Sequence, residues 1–223
     1  MNSFFLNKNN KISIHYMQSP YIVSLKEINM NTNKYFINKS SNTSNTSNAK
    51  ETLSPVSGYE PKYRPKKWND GKRIQDNHNC YAYLLDSIVA KRTGKPQPGY
   101  FSGFSHLDTP DYNCKEFLNR LKKDIPNLYL TSFDKRCKKG FYKGFIALDP
   151  KKEDQDYHFY RQDNSGYWSH KPGRQEAIDY DANGKKIRNP LKANRKYKYF
   201  NYSRPCFFFC LNNKLARSSS SSL

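Results

Sequence analysis

Apolar residues first recur along this chain at helical spacing. In the stretch from Asn77 to Lys91 they occupy positions 81, 84, 85, 88 and 89, which predicts a helix opening near Cys80. Asn77 or Asn79 can cap its start, and Gly94 with Pro96 stops it. A second helix is expected from Thr109, with Pro110 at its first position. Its apolar stripe is Cys114, Phe117, Leu118, Leu121 and Ile125. From Leu128 the period falls to two. Strands are expected over 128–132, 141–148, 158–163 and 167–171, with one or two more near 197–202 and 206–211. Turn signals separate them: Lys139-Gly140, Asp149-Pro150, Asn164-Ser165-Gly166, Lys171-Pro172-Gly173 and Asn183-Gly184. Helices followed by strands predict an α+β fold, with N-terminal helices packed on one face of a small antiparallel sheet.

The flanks carry no such pattern. Residues 1–55 are rich in Asn, Ser, Thr and Lys, and the run from Asn38 to Asn48 buries too little area to offset its ordering entropy. This tail is expected to be disordered, apart from a marginal strand at 12–16, as is the Ser-rich end over 213–223. Residues 56–212 are then a single domain.

Composition adjusts the picture in two ways. Only 35 % of the 223 residues are hydrophobic, so 18 Tyr, 14 Phe and 2 Trp must fill much of the core. The net charge is +20, spread along the chain, and favours adhesion to nucleic acid or another polyanion without naming one. Five cysteines without a CxxC pair argue against a zinc framework and read as reduced, intracellular thiols. No cofactor or metal is expected. No segment reaches the length of a membrane span.

Cys80 and two histidines carry the candidate chemistry. A cysteine in a helix's first turn feels the positive end of the backbone dipole, which lowers its pKa. His158 and His170 lie on the two strands flanking the Asn164-Ser165-Gly166 turn. An odd loop places both on one face. Either His170 stands opposite His158, or it stands opposite Tyr160 and diagonal to His158. One imidazole can then serve Cys80 as base while the other orients it. His78 is placed to point elsewhere, and His106 reads as an incidental loop residue. Cys114 reads as a buried thiol, and Cys206 and Cys210 as core residues facing one side of a regular strand. Cys137, among four cations, reads as a reactive thiol without a base. The interleaved 195–202 segment (Arg195, Lys196, Tyr197, Lys198, Tyr199, Phe200, Asn201, Tyr202) could stack bases, but reads better as a filled sheet face with its lysines outward.

Asn79-Cys80-Tyr81-Ala82, His158-Phe159-Tyr160 and Ser169-His170 together resemble the NlpC-type branch of the papain-like cysteine peptidases. The resemblance implies Cys80 as nucleophile, His158 as base and His170 as the orienting residue. Asn79, Tyr81, Tyr160 and Trp168 are the accompanying oxyanion and substrate-binding candidates. It implies a hydrolase acting on an amide or ester of a peptide-like or acyl substrate. Two features depart from that branch: the helix after Cys80 lacks a small-residue face, and the linker to His158 is long. Residues 75–211 also resemble a set of bacterial and giant-virus proteins. The shared text includes Pro98-Gly99-Tyr100, Asp156-Tyr157-His158-Phe159-Tyr160-Arg161-Gln162-Asp163, Trp168-Ser169-His170-Lys171-Pro172-Gly173 and Tyr180-Asp181-Ala182-Asn183-Gly184. The competing expectation is a non-catalytic basic protein, virion-associated or otherwise bound to a polyanion.

Overall fold

A computed structural model describes residues 52–71, 73–88, 95–105, 107, 112–151 and 155–216. The expected N-terminal tail with its strand at 12–16, the helix start at Thr109 and Pro110, and His106 lie outside the described residues.

Five antiparallel strands form one sheet: β1 (Tyr129–Thr131), β2 (Tyr142–Asp149), β3 (Asp156–Gln162), β4 (Trp168–Ser169) and β5 (Arg204–Leu211). Their order across the sheet is β1-β5-β2-β3-β4. Among the described residues three α-helices precede them: α1 (Pro65–Trp68), α2 (Cys80–Leu84) and α3 (Cys114–Asp124). The architecture is thus α+β with few helices, and alternation along the strands sorts the aromatics onto two faces. Ile146, Leu148, Tyr157, Phe159, Phe207, Phe209 and Leu211 pack with α2 and α3. Phe145, Ala147, Tyr160, Trp168, Tyr202 and Phe208 face away from the helices. That second face is covered by the segment after β4, where the expected strand over 197–202 is reduced to one bridge, Lys196 to Asn201. Arg195 organises the segment instead, donating to the carbonyls of Pro190, Leu191, Ala193 and Tyr202. Tyr197 and Phe200 pack inward beside it, while Lys196, Lys198 and Tyr199 are exposed.

The helix expected from Cys80 to Lys91 ends at Leu84. Asp86 takes a left-handed backbone, φ 48°, and its carboxylate meets Lys67 and Arg161 at 3.1 and 3.2 Å. Those distant cations stop a helix that local periodicity would continue. In α3 the predicted stripe is buried, and Asn113 caps it by accepting the Glu116 N–H. Residues 213–215 of the expected C-terminal tail form a turn of 3-10 helix.

The expectation of reduced thiols fails. Cys114 is bonded to Cys206 and Cys137 to Cys210, so only Cys80 is free. Cys206 and Cys210 also do not face the same side. The β2–β5 register shifts between Ile146 and Ala147, which face Phe207 and Pro205, and Cys206 is the extra residue of that bulge. One residue of slip reverses parity. Cys206 meets the helix layer, whereas Cys210 bonds the loop cysteine Cys137 and leaves it no free thiol.

Candidate active site

The β3–β4 hairpin pairs Arg161 with Ser169 and Gln162 with Trp168, and the Asp163 N–H donates to the Tyr167 carbonyl. This is the register with Asn164-Ser165-Gly166 as the loop. Extended by one step, it sets His170 opposite Tyr160 and diagonal to His158. The two rings share a face and meet edge to face, with His158 Nε2 2.7 Å from His170 Nδ1. Both are buried. His158 stacks on Tyr202 at 4.9 Å, and His170 lies 4.8 Å from the Tyr160 ring.

The outer partner of the pair sets its tautomers. His170 Nε2 lies 3.1 Å from the Tyr180 carbonyl, which can only accept. Nε2 therefore carries the His170 proton. Burial holds His170 at about 4, so the ring is neutral at pH 7 and its Nδ1 is a bare acceptor. His158 must then donate from Nε2. Burial and the neighbouring His170 push His158 well below its usual range, so it too is neutral. Its lone pair sits on Nδ1, the nitrogen nearer its own backbone, and no hydrogen bond to that atom is found among the described residues. A carbonyl two positions out thus makes His158 a base at one defined atom.

Cys80 approaches along the strand edge. Because the Asp163 N–H points toward β4, alternation points the Tyr157 carbonyl and the Phe159 N–H the same way. β4 pairs β3 only at Arg161 and Gln162, so that edge is open beside His158. Cys80 fills it. Its Sγ lies 3.9 Å from the Tyr157 carbonyl, and the Phe159 N–H is turned toward it. The thiol flanks the backbone of His158 without a hydrogen bond to either histidine.

Helix α2 is held there by Tyr83, whose hydroxyl meets Ser169 Oγ at 2.6 Å, and by Arg161, which donates to the Tyr83 carbonyl at 2.9 Å. The thiol does not have the lowered pKa that a helix start suggests. Burial first, then the nearby Asp156 charge, push it up to about 12, against weaker opposition from backbone N–H groups and Lys171. A five-residue helix supplies little dipole to a thiol enclosed in a core.

The remaining candidates take other places. Asn79 is the N-cap: its Oδ1 accepts the Ala82 N–H at 3.0 Å and its Nδ2 donates to the Pro96 carbonyl at 2.7 Å. The Tyr81 hydroxyl donates to Asp124 at 2.8 Å, within the helix layer. Tyr160 and Trp168 lie on the histidine face, both fully buried. His78 bonds the Ile74 carbonyl through Nδ1 and sets its ring edge-on to Trp68. Among the described residues no group of three His, Cys, Asp or Glu side chains is placed to hold a metal ion. Sequence reasoning missed Tyr202, which stacks on His158 and donates to Asp156 at 2.7 Å, the carbonyl of Tyr180, and Lys171. Tyr202 enters the sequence reading only as part of the filled face over 195–202, and Tyr180 and Lys171 only within the shared segments, with no role at the site.

Fold and site together define a disulfide-linked α+β structure with a buried free thiol against the backbone of the strand that carries one of two hydrogen-bonded histidines. No family model and no solved structure matches the chain. It is 33 % identical over 134 residues to insoluble matrix shell protein 1 of Ruditapes philippinarum, a match that spans 60 % of this chain and 81 % of that protein. The chain belongs to the family of that shell protein.

Proposed function

We propose that the chain is a thiol hydrolase of the papain-like, NlpC-related kind, acting on an amide or ester. The observation that carries this reading is the relay from the Tyr180 carbonyl through His170 to His158, which leaves Nδ1 of His158 bare on the strand whose edge Cys80 occupies. Both histidines are neutral and the thiol is protonated at rest, so the nucleophile is generated during attack and does not wait as a thiolate. His158 Nδ1 takes the thiol proton as Sγ adds to the carbonyl carbon. His170 stabilises the resulting imidazolium by accepting from its Nε2–H. The same proton then passes to the departing amine or alkoxide, leaving an acyl-Cys80; water adds to it as Nδ1 takes the water proton, and Nδ1 returns that proton to Sγ as the C–S bond breaks and the acid departs. With Asn79 committed to the helix cap, the Cys80 backbone N–H is the oxyanion donor.

The test is acylation by p-nitrophenyl acetate, followed by nitrophenolate release and the mass of the Cys80 peptide. The wild type acquires one acetyl group on Cys80, Cys80→Ala acquires none there and releases no burst, and His158→Gln slows the burst roughly a hundred-fold. An equal burst from Cys80→Ala sinks the reading.

The kinship and the disulfides favour a second reading. The relative is named for an insoluble shell matrix, and disulfides persist in oxidising surroundings. On this reading the chain is a non-catalytic basic protein of such a compartment, a matrix or a virion surface, bound to an acidic polymer.

A further inference from the structure

Lys171 follows His170 directly, yet its side chain is fully buried on the side facing the start of α2. Its Nζ is surrounded by four backbone carbonyls: Gln75 at 2.6 Å, His78 at 2.9 Å, Gly173 at 2.7 Å and Gln175 at 2.9 Å. Two belong to the segment leading into Cys80 and two to the turn leaving His170. Four carbonyl dipoles aimed at one point repel one another and are stable only around a cation. Gly173 serves this arrangement with a left-handed backbone, φ 44°, that other residues rarely adopt.

We infer that Lys171 is a positioning residue for Cys80: its ammonium replaces a bound cation and ties the chain two residues before the thiol to the strand that carries His170. The inference rests on the Cys80–His158–His170 reading for its catalytic meaning, while the geometry itself concerns only where the thiol is held. Asp70 and Asp76 attract the ammonium and Lys95 opposes it. Burial brings its pKa down to about 8, so it remains mostly charged at neutral pH. The same charge favours ionisation of Cys80.

The experiment uses the full, oxidised chain, in which Cys80 is the one free cysteine. Iodoacetamide alkylation of Cys80 is timed at neutral pH for the wild type, Lys171→Ala and Lys171→Met, with melting followed in parallel. The expected result is a rate at least ten-fold lower in both variants. Propylammonium, which resupplies the carbons and the ammonium lost in Lys171→Ala, restores that variant to within two-fold of the wild type. Tetramethylammonium, which has no N–H to donate, restores nothing. An unchanged or faster rate in a folded variant overturns the inference, as does propylammonium that recovers melting without the rate. Should Lys171→Ala not fold, Lys171→Met keeps the side-chain volume and decides by its rate alone. A different result would tell against the hydrolase reading: His158→Gln alkylated at the wild-type rate while Lys171→Ala is slowed and rescued. In that case the positioning role stands and the base does not.

Discussion

At the scale of single residues, the histidine pair makes a neutral site whose neutrality the fold must maintain against acid. An unfolded histidine titrates near 6.5, whereas His170 in the fold is held at about 4 by burial. Between those values the unfolded chain binds the extra proton. The contribution of His170 is therefore fully present above pH 6.5 and is lost as pH falls toward 4. At pH 5 the loss is about 2 kcal/mol for this fully buried ring. Asp163 acts in the opposite sense. Burial raises its carboxyl to about 6 despite Arg161, so it favours the folded state more as pH falls through that range. The two partly cancel in the wild type, and the clean observable is a difference. His170→Gln, measured by urea midpoint at pH 5 and pH 7.5, shows a smaller acid loss than the wild type or none. An acid loss as large as that of the wild type would mean that His170 is not buried neutral.

At the scale of elements, the placement of Cys80 depends on how closely α2 lies on the sheet. Gly144 of β2 pairs with Arg161 on one side and Phe209 on the other. A Cβ at that position would come within 2.6 and 2.8 Å of the Phe209 ring and 2.9 Å of Leu84 Cδ1. The ring lies over the bare glycine, and the last residue of α2 sits on both. Gly144→Ala must push the ring or the helix away, a cost of about 1–3 kcal/mol. It appears as a lower urea midpoint with an unchanged slope; a midpoint within error of the wild type would show that the helix is not seated there.

Elements are also where the sequence is most and least legible. The turn at Asn164-Ser165-Gly166 and a period of two were enough to bring His158 and His170 to one face, because both signals are local. The same rule misplaced Cys206 and Cys210, because a bulge reversed the parity inside β5 and nothing in Pro205-Cys206-Phe207 announces it. The over-long helix after Cys80 fails for a related reason: its stop is made by Lys67 and Arg161, 19 and 75 residues from Asp86. Lys171 as an internal cation was illegible, since its four ligands are main-chain atoms of two separate loops.

At the scale of the whole molecule, covalent ties and charge matter together. The two disulfides join residues 92 and 73 positions apart, and loops of that length remove on the order of 4 kcal/mol of unfolded-state entropy each. They hold together a chain that carries +20 and whose compact state works against its own repulsion. Not all of that charge is available to a partner. Arg161, Lys143 and Lys171 are buried, and Arg195 is spent on carbonyls. Lys196 and Lys198 are exposed beside Tyr199, which is 69 % exposed, so this edge can pair cations with a stacking ring. If the chain binds an acidic polymer, its affinity for a single-stranded oligothymidylate falls with salt. Five engaged cations give a log–log slope of about −3.5 and roughly a hundred-fold loss between about 50 and 200 mM salt. Replacing Lys196 and Lys198 with alanine makes the slope shallower by about 1.4. A flat dependence removes the polyanion reading. Cys80→Ala leaves this binding untouched while abolishing acylation, so one substitution separates a surface property of the whole molecule from the chemistry of its single free thiol.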